Sequence, residues 1–280
     1  MTLPNFLVIG AMRCGTTLLD QILRKNSDIY LPQKCKEVHF FDRYYERGIE
    51  WYEGFFPSTA LASNYQAIGE ITPAYIYFPQ IPSLIHKTIP ECKLIALLRN
   101  PADRAYSQYQ RRGLLLGEFR ESFEESLINE KYDIFNRGLY AEQLKRYLDY
   151  FPRKNLLILN FESMIKNPQD AKNKIAEFLC LNPKNFEDVN MEKKFNKSYS
   201  AKFARSYALT YKVSRWLRKN DIDWAVNLAK SLGVPKLFGE KSISTPKMAL
   251  ETRKKLLLRY EADICQLETL IDMDFSSWRE

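Results

Sequence analysis

The chain has 280 residues, with 42 Lys+Arg against 34 Asp+Glu for a net charge of +8, 45% hydrophobic residues and 27% charged ones. These are ordinary globular values that exclude a disordered or fibrous chain, and a chain this long buries roughly 75% of its unfolded surface without help from disulfides or metals. No stretch reaches the ~20 apolar residues of a membrane span, and the N-terminal MTLPNFLVIGAMRC lacks the basic start of a signal peptide. The five cysteines (14, 35, 92, 180 and 265) show no CxxC, and with only His39 and His86 beside them they do not suggest a zinc site. A reducing, cytoplasmic setting is expected.

In chain order, the apolar run 5–10 (NFLVIG) reads as a buried strand, followed by a glycine-containing turn and a helix over 17–25. A second unit has a strand at 93–98 (KLIALL) and a helix at 102–112. Residues 139–151 put Leu144, Tyr147, Leu148 and Phe151 on one helical stripe, the pattern of core packing. A third unit has a strand at 155–161 and a helix at 168–179. Beyond about residue 198 the pattern is helical, with a loop expected at 233–247 and a last helix at 248–271. Strand-turn-helix units in series predict an α/β fold, a parallel sheet covered by helices, with ligands beyond the carboxyl ends of the strands. The basic clusters at Lys193, Lys194 and Lys197, at Lys212, Arg215, Arg218 and Lys219, and at Arg253, Lys254 and Lys255 accompany no nucleic-acid motif and read as solvated faces.

The turn after the first strand is Gly10-Ala11-Met12-Arg13-Cys14-Gly15-Thr16-Thr17. Two glycines five positions apart, between a strand and a helix, are the ingredients of an anion cradle. Gly15 lets backbone N–H groups approach an oxyanion, the helix N-terminus adds partial positive charge, and Thr16 and Thr17 supply hydroxyls. The ATP-binding form of this loop, GxxxxGK[ST], has a lysine where Thr16 stands here. Arg13 is the cation of the loop, which argues against triphosphate hydrolysis and for a shorter anionic group. After the second strand, Arg99 emerges at a carboxyl end, Pro101 presets a helical turn, and Ser107 follows two turns on, a pair able to meet one further phosphate. Arg99 and Arg104 equally suit salt-bridged scaffold.

Together, GAMRCGTT and LLRNPADRAYSQY resemble the two nucleotide loops of sulfotransferases that use 3′-phosphoadenosine 5′-phosphosulfate (PAPS). The resemblance continues through KEVHFFD (36–42), GIEWYEGFFP (48–57), GEITPAY (69–75), RGLYAEQLKRYLDYFP (137–152) and the run 156–181, and is nearest the heparan-sulfate branch and its bacterial relatives. It implies a P-loop-like three-layer fold with a central parallel sheet flanked by helices. An α/β core over 1–198 is then joined by a helical extension and cofactor-covering loop over 199–280.

Carried over by position, the resemblance implies that Arg13, Cys14, Gly15, Thr16 and Thr17 surround the 5′-phosphosulfate and that Arg99 and Ser107 hold the 3′-phosphate. Lys241 and Ser242 fall near a late basic loop that closes over the cofactor. Glu37 falls where this branch keeps its catalytic base, with His39 and Asp42 in the same segment. The family usually has lysine at the place of Arg13, and some relatives carry lysine at Ile71, where it meets a charged polysaccharide.

The expected chemistry is in-line transfer of a sulfuryl group, with Glu37 taking the acceptor proton, Arg13 and the turn's N–H groups steadying the departing phosphate oxygen, and His39 orienting the acceptor or sharing charge. No metal, nucleic acid or membrane is expected as partner, and a homodimer is possible. The acceptor expected is a cytosolic small molecule, as in secondary metabolism. A saccharide acceptor and a P-loop kinase are the alternatives. Without the resemblance, Glu37 reads as a surface carboxylate beside Lys34 and Lys36, and His39 between Val38 and Phe40 as a core histidine. Glu70 follows an expected strand and reads either as an orienting group or as a partner of Arg13, and Trp51, Tyr52, Tyr75 and Tyr77 read as pocket walls or core.

Overall fold

The computed structural model describes residues 2–115, 121–129, 132–187 and 247–280, with isolated positions 213, 217 and 229. The chain divides into two compact units. One comprises Met1–Arg104, Arg137–Lys193 and Leu257–Glu280, the other Ala105–Asn136 and Lys194–Leu256.

The first unit is built on a five-stranded sheet in the order β2-β3-β1-β4-β5, all neighbours parallel. Its strands are β1 (Phe6–Gly10), β2 (Ile29–Tyr30), β3 (Ala67–Ile71), β4 (Lys93–Leu98) and β5 (Leu156–Asn160). Three of the five were expected from their apolar runs, and every residue of β1 and all but the first of β4 are buried. Such runs, apolar on both faces, are what a parallel sheet sandwiched between helices requires. β2 had not announced itself, and the strand expected ahead of Glu70 runs on through that residue to Ile71 as β3. β2 is two residues long, and β3 carries Gly69 and the carboxylate of Glu70 in its interior.

The strand order places a topological switch at β1. The chain leaves β1 for β2 and β3 on one side, then crosses to β4 and β5 on the other, and folds with such a switch bind ligands beyond the carboxyl end of the strand where it lies. Five connections start at this edge, and every residue expected in the site within this unit lies on one of them.

Helices form at Thr16–Arg24, Pro101–Tyr109, Tyr140–Leu148, Pro168–Leu179 and Leu250–Ile271, close to the predicted spans. On the Tyr140–Leu148 stripe, Leu144, Tyr147 and Phe151 are buried, as core packing demands, and Leu148 is half-buried. The helix is anchored at its start by Asp263, whose two carboxylate oxygens accept from the backbone N–H groups of Tyr140 (2.7 Å) and Ala141 (3.1 Å).

In the second unit, Ser122 and Glu125 form a reciprocal cap at the start of the helix Phe123–Ile128. Tyr109 donates to the Glu121 carbonyl, and the Thr252 hydroxyl reaches Glu124 at 2.6 Å. Lys254 and Lys255 are exposed, the solvated face expected of them. The other basic clusters lie outside the described residues.

Candidate active site

The turn after β1 folds tightly. Arg13 and Gly15 both take positive φ, 71° and 90°. A side chain on Gly15 would be strained at that φ and would also drive its Cβ to 2.4 Å from the ring of Phe161, the first residue after β5. Glycine is therefore required, and its bareness lets the helix Thr16–Arg24 start flush against the sheet edge. The first N–H groups of a helix have no partner within it, and they lie with the positive end of its dipole at this turn.

Cys14 faces inward. Its N–H donates to Ala11, its thiol sits 3.4 Å from the Tyr140 hydroxyl, and burial pushes the thiol pKa up, so it shapes the turn as a neutral group. Tyr140 in turn donates to the Arg99 carbonyl at 3.0 Å.

Arg99 leaves the tip of β4 and lies against this turn. Its Nη1 donates to the Arg13 carbonyl at 3.4 Å, and its guanidinium rides over the Phe161 ring at 5.1 Å. Its Nε is buried with no hydrogen-bond partner among the described residues. A buried guanidinium N–H in that state suits an oxyanion acceptor, so the residues present fit an anionic nucleotide on this count. Ser107 lies in the helix Pro101–Tyr109 but belongs to the second unit. Lys241 and Ser242 lie outside the described residues. Arg104 is fully buried and bonded to Tyr260, hence scaffold.

The connection leaving β2 brings in the charged side chains. Lys36 places its Nζ 3.2 Å from the Thr16 hydroxyl and 3.5 Å from that of Thr17, and 3.6 Å from a Glu37 oxygen. The other Glu37 oxygen is 3.2 Å from His39 Nε2. His39 Nδ1 lies 3.0 and 3.1 Å from the two oxygens of buried Asp42, the second of which meets Arg43 at 3.5 Å.

His39 is held at φ 59°, so its ring turns back between the two carboxylates. Burial alone would lower its pKa, but the bonds to Asp42 and Glu37 outweigh burial and raise it above 6.5. For Glu37, burial pushes upward, yet the His39 bond and the Lys36 charge prevail and hold it below the ordinary carboxylate range. At neutral pH Glu37 is thus an ionised carboxylate, fixed by an imidazole that a second carboxylate orients.

Glu70 resolves into an orienting role. It is fully buried in β3 and accepts from Tyr52 (2.7 Å), Thr72 (2.7 Å) and Tyr75 (2.9 Å). Burial raises its pKa despite the three hydroxyls. The Thr72 oxygen also accepts from the His39 backbone N–H at 3.3 Å, so the tip of β3 fixes the loop that bears His39. Tyr52 and Tyr75 are accordingly core residues with bound hydroxyls. Trp51 and Tyr77 stay half-buried, Trp51 beside Tyr44 and Phe55 and Tyr77 beneath the Arg137 guanidinium at 3.9 Å.

The sequence reading did not single out Lys36, Phe161 or Thr72, which the fold brings against the turn and the His39 loop. Lys36 sits beside Glu37 in a motif that had been noticed, but a charged run gives no clue that one of its side chains reaches back to Thr16.

A parallel sheet with a glycine turn at its switch point and a carboxylate–imidazole–carboxylate chain beside it defines an α/β domain suited to an anionic ligand. The family model of the sulfotransferase domain matches residues 3–225. The chain belongs to the sulfotransferase domain family.

It is 34% identical over 184 residues to mouse heparan sulfate glucosamine 3-O-sulfotransferase 6, covering 64% of this chain and 52% of that protein. It is 31% identical over 209 residues to the bifunctional heparan sulfate N-deacetylase/N-sulfotransferase of Drosophila melanogaster, covering 65% and 20%. The chain thus spans about half the length of the first relative and less of the second. The crystal structure of a sulfotransferase from Alicyclobacillus acidocaldarius shares the fold across 100% of both chains, with a TM-score of 0.73 at 24% identity. Among the described residues no helix is long and apolar enough to cross a membrane.

Proposed function

We propose that the chain moves a sulfuryl group from PAPS to a hydroxyl or amine of a small-molecule acceptor. PAPS supplies an activated sulfonate on a nucleotide phosphate. The N–H groups and hydroxyls of Gly15, Thr16 and Thr17, with Arg13, bind its 5′ end. Arg99 binds the ribose phosphate, with Ser107 and the Lys241–Ser242 loop assigned to the same nucleotide by resemblance. Glu37 takes the acceptor proton as the new bond to sulfur forms, and His39, backed by Asp42, keeps the Glu37 carboxylate aimed. A proton carried by an alcohol becomes strongly acidic once its oxygen bonds to sulfur, so a carboxylate of depressed pKa suffices as base late in the transfer.

The observation that carries this reading is the contact of Lys36 with both Thr16 and Glu37, which supports one site shared by the proposed anion cradle and the proposed base. The charge on the donor is met by arginine, lysine and amide groups, so turnover is expected to persist in EDTA.

The acceptor is the finer question. Ile71 is buried at the end of β3 and offers no charge to a sulfated polymer, which supports a small acceptor. The names of the heparan-sulfate relatives favour the second reading, a saccharide acceptor. A cytoplasmic setting goes with the first reading. Incubation with PAPS and two panels, small metabolites and desulfated glycosaminoglycan fragments, followed by mass spectrometry for the gain of one sulfuryl group, separates the two. Product in neither panel, with no release of 3′-phosphoadenosine 5′-phosphate (PAP), would defeat both.

A further inference from the structure

Lys36 stands in an electrostatically awkward place. Its ammonium lies against the two hydroxyls that open the helix Thr16–Arg24, at the positive end of that helix dipole. Arg13 is close enough to add repulsion, and burial together with Arg13 draws the Lys36 pKa down, against the pull of Glu37 and Asp20. Asp20 is already engaged by Arg24 at 3.0 Å, and Glu37 by His39. Two cations and a helix N-terminus thus crowd one point, whose nearest anion is a carboxylate needed for chemistry. Such a concentration of positive potential is stabilised by a ligand carrying more than one negative group.

We infer that Lys36 is a further catalytic residue, its ammonium meeting the sulfonate oxygens of the donor from the side of Glu37. This rests on the reading that the 5′ end of PAPS occupies the turn after β1. In the transfer, the bond from sulfur to the 5′-phosphate oxygen breaks as the bond from sulfur to the acceptor oxygen or nitrogen forms. The electron pair of the broken bond stays on the phosphate, and the acceptor proton goes to Glu37. Lys36 remains protonated throughout, and its compact, mobile charge follows the sulfonate where a planar guanidinium would not. Drawn toward the sulfonate, it also leaves Glu37 less stabilised as an anion, which strengthens the base once donor is bound.

The product PAP has the same phosphates as PAPS and lacks the sulfonate, so the two ligands isolate the contact. The experiment is calorimetric titration of the full chain with PAP and with PAPS, without acceptor, for the wild type, Lys36→Met and Lys36→Gln. Lys36 is partly exposed, and Gln keeps hydrogen bonds to the threonines without the charge. Expected is PAPS affinity weakened by about tenfold or more in both variants, with PAP affinity within about threefold of wild type and an unchanged melting temperature. Unchanged PAPS affinity in a variant overturns the role of Lys36 while leaving the donor site standing, and so does equal loss for PAP and PAPS, which marks a structural or phosphate-only contact. Failure of the wild type to bind either ligand overturns the donor reading and, with it, this inference.

Discussion

The loop 36–42 and the tip of β3 each present one glutamate, and two hydroxyls, those of Thr72 and Tyr75, join the loop backbone to Glu70. Glu37 is partly exposed, meets a lysine and an imidazole, and is held more acidic than usual. Glu70 is sealed in the sheet, meets only uncharged hydroxyls among its bonded partners, and is held less acidic than usual. The same side chain, the proposed reagent at Glu37 and frame at Glu70, is set by its surroundings. Cationic partners keep Glu37 charged and available, whereas three buried hydroxyls spend the oxygens of Glu70 on fixing Tyr52, Tyr75 and the His39 loop.

The largest expected effect follows from the reagent side. Glu37→Gln keeps the shape but cannot take a proton, so turnover should fall by about 10²–10⁴ with PAP affinity within about threefold, measured by PAP release and calorimetry. Near-full turnover would erase the distinction between the two glutamates.

On the frame side, Glu70→Ala leaves three buried hydroxyls short of an acceptor and should lower stability by about 3 kcal/mol or more in denaturant unfolding. Full stability with turnover lost would make Glu70 a reagent after all. A smaller effect is expected at the join. Thr72→Val deprives the His39 N–H of its acceptor and Glu70 of one donor, for a loss of about 1–3 kcal/mol.

The smallest is a pH effect. Because His39 has a raised pKa in the fold, its imidazolium contributes stability that is complete below 6.5 and lost as pH rises through the higher folded value. The difference in melting temperature between wild type and His39→Gln should therefore shrink as pH is raised above 6.5, and a difference that grows would reverse the assignment.

What was legible in the sequence divides along similar lines. Backbone-driven features were readable: the apolar runs of β1, β4 and β5, and a glycine turn whose Gly15 sits at φ 90°. Features made by long-range side-chain contact were not. A strand was expected ahead of Glu70, but its continuation through that residue was not, because burial of the charge depends on hydroxyls from Tyr52, Thr72 and Tyr75 that no local pattern announces. β2 is too short to carry a periodicity. Lys36 looked like part of a solvated run because its contact with Thr16 joins residues 20 positions apart across the sheet edge. Glu37 and His39 were reached through resemblance, and their mutual bond and the backing of Asp42 became visible only in the fold.

The central claim is that the turn after β1 and Arg99 together grip a doubly anionic nucleotide end. Calorimetric titration of the purified chain with PAP tests it most directly. Saturable binding that survives EDTA and is weakened at least about tenfold by Arg99→Ala is expected; absence of binding to the wild type, or an Arg99→Ala variant that binds as well, would contradict it.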